Sequence, residues 1–243
     1  MDFEYEINKW WISNGEKLIE YADAIIFLLF LIAVLYIFIF SLASLKKTRN
    51  KYPPARKKYR FAVLFPVYQG ETVIVNSVCS FLEQDYPLYM YEVIVITDSM
   101  QEKTVQTLKT LPSITVLEAG YAQSTKTNAL RLAMDYLSTK TEKYDMVVIM
   151  DADNIVNTSF LNKLNDAYYS GCLAIQTHRV AKNRNTSTAV LDAVSEEINN
   201  SIFRSGHTHL GFSSALIGSG MAFEYTLFYK AMMSNTSVGG FDR

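Results

Sequence analysis

Cysteine, histidine and any excess of charge are scarce in this sequence. Two cysteines, Cys79 and Cys172, in 243 residues are too few for a disulfide framework, and their apolar contexts fit a reducing compartment. A formal net charge of -1 excludes the strongly basic surface that nucleic-acid phosphates demand. The three histidines, His178, His207 and His209, do not make a metal site, because a His-x-His pair on a loop without a third spaced ligand reads as surface or hydrogen-bonded histidine. Neither an internal repeat nor a low-complexity stretch is present. What remains, 49% apolar and 19% charged, excludes disorder and predicts one domain of ordinary size with an appendage.

The near-neutral total conceals a local asymmetry. Residues 1–23 carry six acids against Lys9 and Lys17, whereas residues 46–60 carry eight bases and no acid. Between them lies an uncharged run of 22 residues, Ala24 to Leu45, long enough as a helix to reach about 33 Å, a bilayer's hydrocarbon thickness. Acids before and bases after are the reverse of a cleaved signal peptide, so a single transmembrane helix over 24–45 is expected. The bases at 46–60 place the rest of the chain in the cytoplasm by the positive-inside bias, as in a single-pass protein of the cell's inner membrane. They also suit anionic headgroups, and Pro53-Pro54 mark that stretch as a linker. Trp10, Trp11 and Tyr21 in the short extracytoplasmic segment 1–23 suggest an interfacial helix leading into the span.

From Phe61 onward, short apolar runs alternate with helical periods. Strands are expected at FAVLFPV (61–67), YEVIVIT (91–97), ITVLE (114–118), MVVIM (146–150) and CLAIQT (172–177). Helices are expected over 71–83, 102–111, 124–138 and 158–169. Strands buried on both faces and separated by helices give an α/β fold, a mostly parallel sheet covered by helices on each side. An amphipathic helix over Ser187 to Arg204 is expected to pack within the domain.

In such sheets ligands bind beyond the carboxyl ends of the strands. The residues there are Pro66 to Glu71, Asp98-Ser99, Gly120-Tyr121 and Asp151-Ala152-Asp153-Asn154, and three of these four loops offer a carboxylate. Acids gathered at one rim are best explained by a shared cation or by donors on a ligand. Asp151 and Asp153, one residue apart at the end of a buried strand, can bring oxygens to one Mg²⁺ or Mn²⁺ that bridges nucleotide phosphates. Gly218-Ser219-Gly220 lacks the lysine and hydroxyl of a phosphate loop and reads as close backbone approach to a sugar.

In that order, from about Tyr59 to Arg243, these segments resemble the inverting family-two glycosyltransferases of GT-A fold, a Rossmann-like architecture. The resemblance is carried by FAVLFPVYQGE, VIVITDS, DMVVIMDADN and STKTNALRLAMDYL, by IQTHRVAKN and GSGMAF, and by VGGFDR at 238–243. It implies a nucleotide-diphosphate sugar donor, a divalent cation (Mg²⁺ or Mn²⁺) and a glycan or lipid-linked acceptor. By the same resemblance, Pro66 and Tyr68 line the nucleotide site, with Tyr68 stacked on the base. Glu71 hydrogen-bonds the base, Asp98 contacts base or ribose, and Lys126 lies near the diphosphate. Asp151 reaches ribose or a metal-bound water, Asp153 ligates the metal, and Gly218, Ser219 and Gly220 lie on the acceptor side.

Departures from the pattern are Gln69-Gly70 before Glu71 and Thr127-Asn128 after Lys126. The family's catalytic base stands one or two places beyond Asp242, so the chain is expected to be a shortened one in which Asp242 is only a weak candidate. Two other functions compete. A sugar-1-phosphate nucleotidyltransferase needs a glycine-rich, arginine-bearing loop after the first strand, which Gln69-Gly70-Glu71 does not supply. A non-catalytic, membrane-tethered nucleotide-sugar binder is compatible with the missing base.

Overall fold

The computed structural model describes residues 3–46, 52–120 and 125–234. Tyr121, Asp242 and the bases Lys47, Arg49 and Lys51 lie outside the described residues. The chain divides into two compact units, one of Met1–Lys47 with Ala181–Ser214, the other of Thr48–Val180 with Ala215–Arg243.

The first unit is helical. Helix α1 runs unbroken from Phe3 to Ser44, because nothing between the acidic segment and the apolar run interrupts it except Gly15, which a helix tolerates at about 1 kcal/mol. The interfacial segment is therefore the first part of one long helix, not a separate one. Its Trp10–Ser44 portion is apolar and long enough to cross a membrane, with its side chains almost wholly exposed. The same unit holds α6 (Ser187–Ile198), a π-helical stretch Asn199–Gly206 and the single turn α7 (His207–His209).

The second unit is α/β. Its strands are β1 (Phe61–Tyr68), β2 (Tyr91–Asp98), β3 (Ile114–Ala119), β4 (Met146–Ile149), β5 (Ala174–Gln176) and β6 (Met221–Glu224). Its helices are α2 (Ile74–Leu82), α3 (Glu102–Thr110), α4 (Lys126–Ser138), α5 (Phe160–Tyr169) and α8 (Tyr225–Ser234). The sheet order is β3-β2-β1-β4-β6-β5, with β1 parallel to both β2 and β4.

Alternation along β1 supplies both faces, as a period of two requires. Phe61, Val63 and Phe65 pack with α2 residues Val78 and Phe81 and with Leu161 and Leu164 of α5. Ala62 and Leu64 pack on the other side with Leu130, Met134 and Leu137 of α4 and with Phe228 and Met232 of α8. All these side chains are buried, which is why the strands read as continuous apolar runs.

The sequence pattern missed one strand. GSGMAF leads into and forms most of β6, which pairs antiparallel with both β4 and β5 and so runs against the other five. The reversal has a consequence for the site: the loop entering β6 reaches the same sheet edge as the exits of β1, β2, β4 and β5.

Candidate functional site

Every residue singled out from the sequence for the site lies in the α/β unit, apart from Tyr121 and Asp242, which are outside the described residues. Tyr68 and Asp98 end β1 and β2 side by side in register. Tyr68 is exposed, whereas Asp98 is only 5% exposed. Among the described residues the Asp98 carboxylate accepts one hydrogen bond, from Ser99 Oγ at 3.1 Å.

The chain turns away from both strands through a left-handed residue that is not glycine, Gln69 at φ 49° and Ser99 at φ 54°, a conformation that costs about 1–2 kcal/mol for an L-residue. Gly70 is required for a different reason. A Cβ there would lie 2.6 Å from Val67 Cγ1 and 3.4 Å from the Cβ of Ala152, so the β1 loop is pressed against the loop that carries Asp151 and Asp153. Glu71, from the same β1 loop, accepts the Gln101 backbone N–H at 3.2 Å and ties the first two exits together.

Lys126 opens α4 behind Thr125, whose side chain caps the helix by accepting from Asn128 N at 3.1 Å. Its Nζ donates to Asp151 Oδ1 and to the Gly218 carbonyl, each at 2.6 Å. One ammonium thus joins the helix start, the acidic loop and the glycine loop. The start of a long helix favours negative charge through its free N–H groups and its dipole. Lysine adds a point charge that rotates to whatever acceptor is offered.

Beneath the lysine, the acidic loop is pinned from below. Asp151 N donates to Ser219 Oγ and to Asn154 Oδ1, each at 3.0 Å, and Ser219 Oγ donates to Asn154 Oδ1. Ser219 is fully buried. Gln176, at the end of β5, accepts the Ile217 N–H at 2.9 Å and donates to the Ser219 carbonyl at 3.0 Å. Thr177 Oγ1 donates to the Gly220 carbonyl at 2.7 Å. Gly220, at φ 62°, has no room for a side chain, since a Cβ would meet Thr177 Oγ1 at 2.6 Å. Gly218–Gly220 is therefore held through its carbonyls by Gln176 and Thr177 and through the Ser219 hydroxyl, with the Gly218 carbonyl turned to Lys126.

Asp153 is exposed and accepts only a 3.3 Å bond from Asn154 Nδ2 among the described residues. No group of three or more His, Cys, Asp or Glu suited to a metal exists among them. Two carboxylates one residue apart, one paired with lysine and one open to solvent, fit a cation whose remaining ligands come from a bound phosphate and water, as Mg²⁺ and Mn²⁺ usually take them. They do not form a metal cage by themselves.

The structure thus brings Lys126, Asp151, Asn154, Gly218 and Ser219 into one contact network, with Tyr68, Glu71 and Asp98 on the neighbouring strand exits. Gln176 and Thr177 entered the sequence reading only within IQTHRVAKN, as part of the family resemblance, and their support of the glycine loop takes on meaning only once β5 is paired with β6.

Comparison with known proteins agrees with this architecture. The sequence profile of Glycosyl transferase family 2 matches residues 62–225. Among solved structures, the mannosyltransferase PcManGT from Pyrobaculum calidifontis, in complex with GDP-Man and Mn²⁺, superposes with a TM-score of 0.65 at 20% identity. That match covers 86% of this chain and 56% of the other. S. aureus TarS 1–349 superposes at 0.51 with 15% identity over 70% of this chain and 48% of that one, and its complex with UDP-GlcNAc gives the same score. The chain therefore spans about half the length of these neighbours, and at such identities the likeness establishes the GT-A fold. No curated protein sequence matches. A profile that covers two thirds of the chain, on the fold derived above, leaves one assignment: the protein belongs to glycosyltransferase family 2.

Proposed function

We propose that this chain is the donor-binding part of a membrane-anchored glycosyltransferase that uses a nucleotide-diphosphate sugar, with Tyr68, Glu71 and Asp98 on the nucleoside and Lys126 on the diphosphate. The single observation that carries this reading is the Lys126 clasp between Asp151 and Gly218 at 2.6 Å each. It sets a mobile cation at a helix start, beside an exposed carboxylate and at the point where the strand order reverses on either side of β1. Mannosyltransferase PcManGT with GDP-Man and Mn²⁺, and TarS with UDP-GlcNAc, support a nucleotide-sugar donor of this class.

The reaction is displacement at the anomeric carbon with inversion. A bond forms from the acceptor hydroxyl oxygen to C1, the bond from C1 to the diphosphate oxygen breaks, and the acceptor proton passes to a general base. A divalent cation held by Asp153, with Asp151 beside it, would supply neutralisation of the charge growing on the leaving diphosphate. Lys126 adds a second positive charge there by turning from Asp151 to phosphate. The residues at 238–243 resemble the acidic motif that bears the family's base, and the acceptor, a glycan or lipid-linked sugar, approaches over Gly218–Gly220. Helix α1 anchors the enzyme in the membrane, and the basic stretch after it supports a cytoplasmic site.

Calorimetry of GDP and UDP binding tests the site. Binding is expected to tighten markedly with Mn²⁺. Asp153→Asn is expected to abolish that increment, whereas Asp98→Ala weakens binding with and without the metal. Equal metal dependence in wild type and Asp153→Asn would overturn the assignment of Asp153.

A further inference from the structure

The helix expected over 187–204 does not belong to the sheet unit; it is grouped with α1. None of the α6 side chains is buried. On a helical wheel Val190, Leu191, Val194 and Ile198 fall within a stripe about 100° wide. Leu191 is 69% exposed and Val194 50%. The polar side includes Glu196, paired with Arg204 at 3.1 Å.

Beyond α6 the π-helical stretch delivers Gly206 and His207 to α1. A Cβ on Gly206 would lie 2.4 Å from the Phe40 carbonyl oxygen, an approach that only glycine permits and that recurs where helices cross inside membranes. His207 stacks on the Phe40 ring with centroids 3.9 Å apart. Its Nε2 lies 2.7 Å from the Tyr36 hydroxyl.

The crossing point can be placed in depth. Phe40 and Tyr36 precede Lys46, the first base after the apolar run, by six and ten residues, about 9 and 15 Å along a helix. Interfacial helices bury their apolar face about 5–10 Å into the boundary between headgroups and acyl chains. The segment is thus fastened to α1 at or just below that level, with Lys182 and Arg184 preceding it as Lys46 and Lys47 follow α1.

We propose that α6 and the π-helical stretch form a second membrane-contacting element, lying in the bilayer interface with the Val190–Leu191–Val194–Ile198 stripe in lipid and the Asp192 side in water. The occupant of the stripe is the phospholipid bilayer, because the π-helical stretch that continues α6 is docked on an apolar helix that already requires one. This inference rests on α1 spanning the membrane.

The test is spin-label accessibility in the full chain with Cys79 and Cys172 replaced by alanine, reconstituted in phosphatidylcholine/phosphatidylglycerol vesicles. Single labels are placed at 191 and 194, at 188 and 192, and at 32 in α1. Labels at 191, 194 and 32 are expected to be relaxed several-fold more by oxygen than by a water-soluble nickel chelate, and those at 188 and 192 the reverse. Nickel access at 191 and 194 equal to that at 188 and 192, with 32 still in lipid, overturns this proposal and leaves the anchor standing; nickel access at 32 overturns both. Dipolar broadening between copies, or shielding of 191 and 194 from both reagents, would mean a protein cover and also overturns it. In Gly206→Leu the labels at 191 and 194 are expected to gain nickel access while nucleoside diphosphate binding is retained. Unchanged access would remove the docking on α1.

Discussion

The two ends of the sheet treat their acids in opposite ways. At the end where β2 begins, Glu92 is surrounded: Thr115 Oγ1 donates to it at 2.6 Å, Tyr136 at 3.2 Å and Tyr144 at short range, and Lys140 Nζ lies 3.5 Å away. Burial alone would raise its pKa. The hydrogen bonds and the lysine together outweigh burial and hold the carboxyl below its ordinary value. The Tyr144 phenol is pushed up by burial and by that carboxylate. At the other end, among the described residues, Asp98 has one side-chain donor, Asp153 one long contact and Asp151 a lysine that can turn away. A carboxylate with all its oxygens engaged is part of the fold; one with capacity left over is available to a ligand. Donors, not acids, separate the two ends.

The largest effect is expected where the available end loses its cation. Lys126→Met should weaken GDP or UDP binding by roughly ten- to a hundredfold, the worth of a hydrogen bond to a charged group, with little change in melting temperature because the lysine is part-exposed. A large fall in stability with unchanged affinity would assign Lys126 to the fold instead.

Next comes the support of that end. Ser219→Ala removes one of the two acceptors of Asp151 N–H and a donor to Asn154 and is expected to cost about 0.5–1.5 kcal/mol in chemical denaturation. Nucleotide affinity should fall with it, because the acidic loop is no longer pinned.

The smallest effect on the site, and the sharpest contrast, is expected from Glu92→Gln, at about 0.5–1.5 kcal/mol in stability with no change in nucleotide affinity. Its sign with pH follows from the depressed carboxyl. The stability it contributes is fully present above the ordinary glutamate value near 4.5 and is lost as pH falls through the lower folded value. Wild type and variant should therefore converge in acid, as read by denaturation curves at descending pH. Parallel curves would mean that Glu92 is not held ionised by its neighbours.

Much of the α/β unit was legible because both-face burial writes itself as continuous apolar runs, and β1 to β4 follow those runs closely. The acidic residues after the strands were legible as well, since a parallel sheet delivers its strand ends to one edge. Less visible was β6: four residues after a glycine-rich turn carry too little pattern to distinguish a reversed strand from a loop. The Gln176 and Thr177 contacts depend on that reversal. Nor did the periodicity of 187–204 reveal its partner, because an apolar stripe specifies that something covers it and not what.

The sequence by itself determined the apolar span with its charged flanks, the mostly parallel sheet and the family, all of which rest on patterns between near neighbours along the chain. Only the tertiary structure decided that Lys126 joins Asp151 to Gly218, that Ser219 supports the acidic loop, and that Gly206 meets Phe40 on α1. Each of these contacts joins positions at least 25 residues apart. They exist because β6 runs backward and a π-helical stretch returns to the first helix, and no local periodicity encodes which distant partner a side chain will meet.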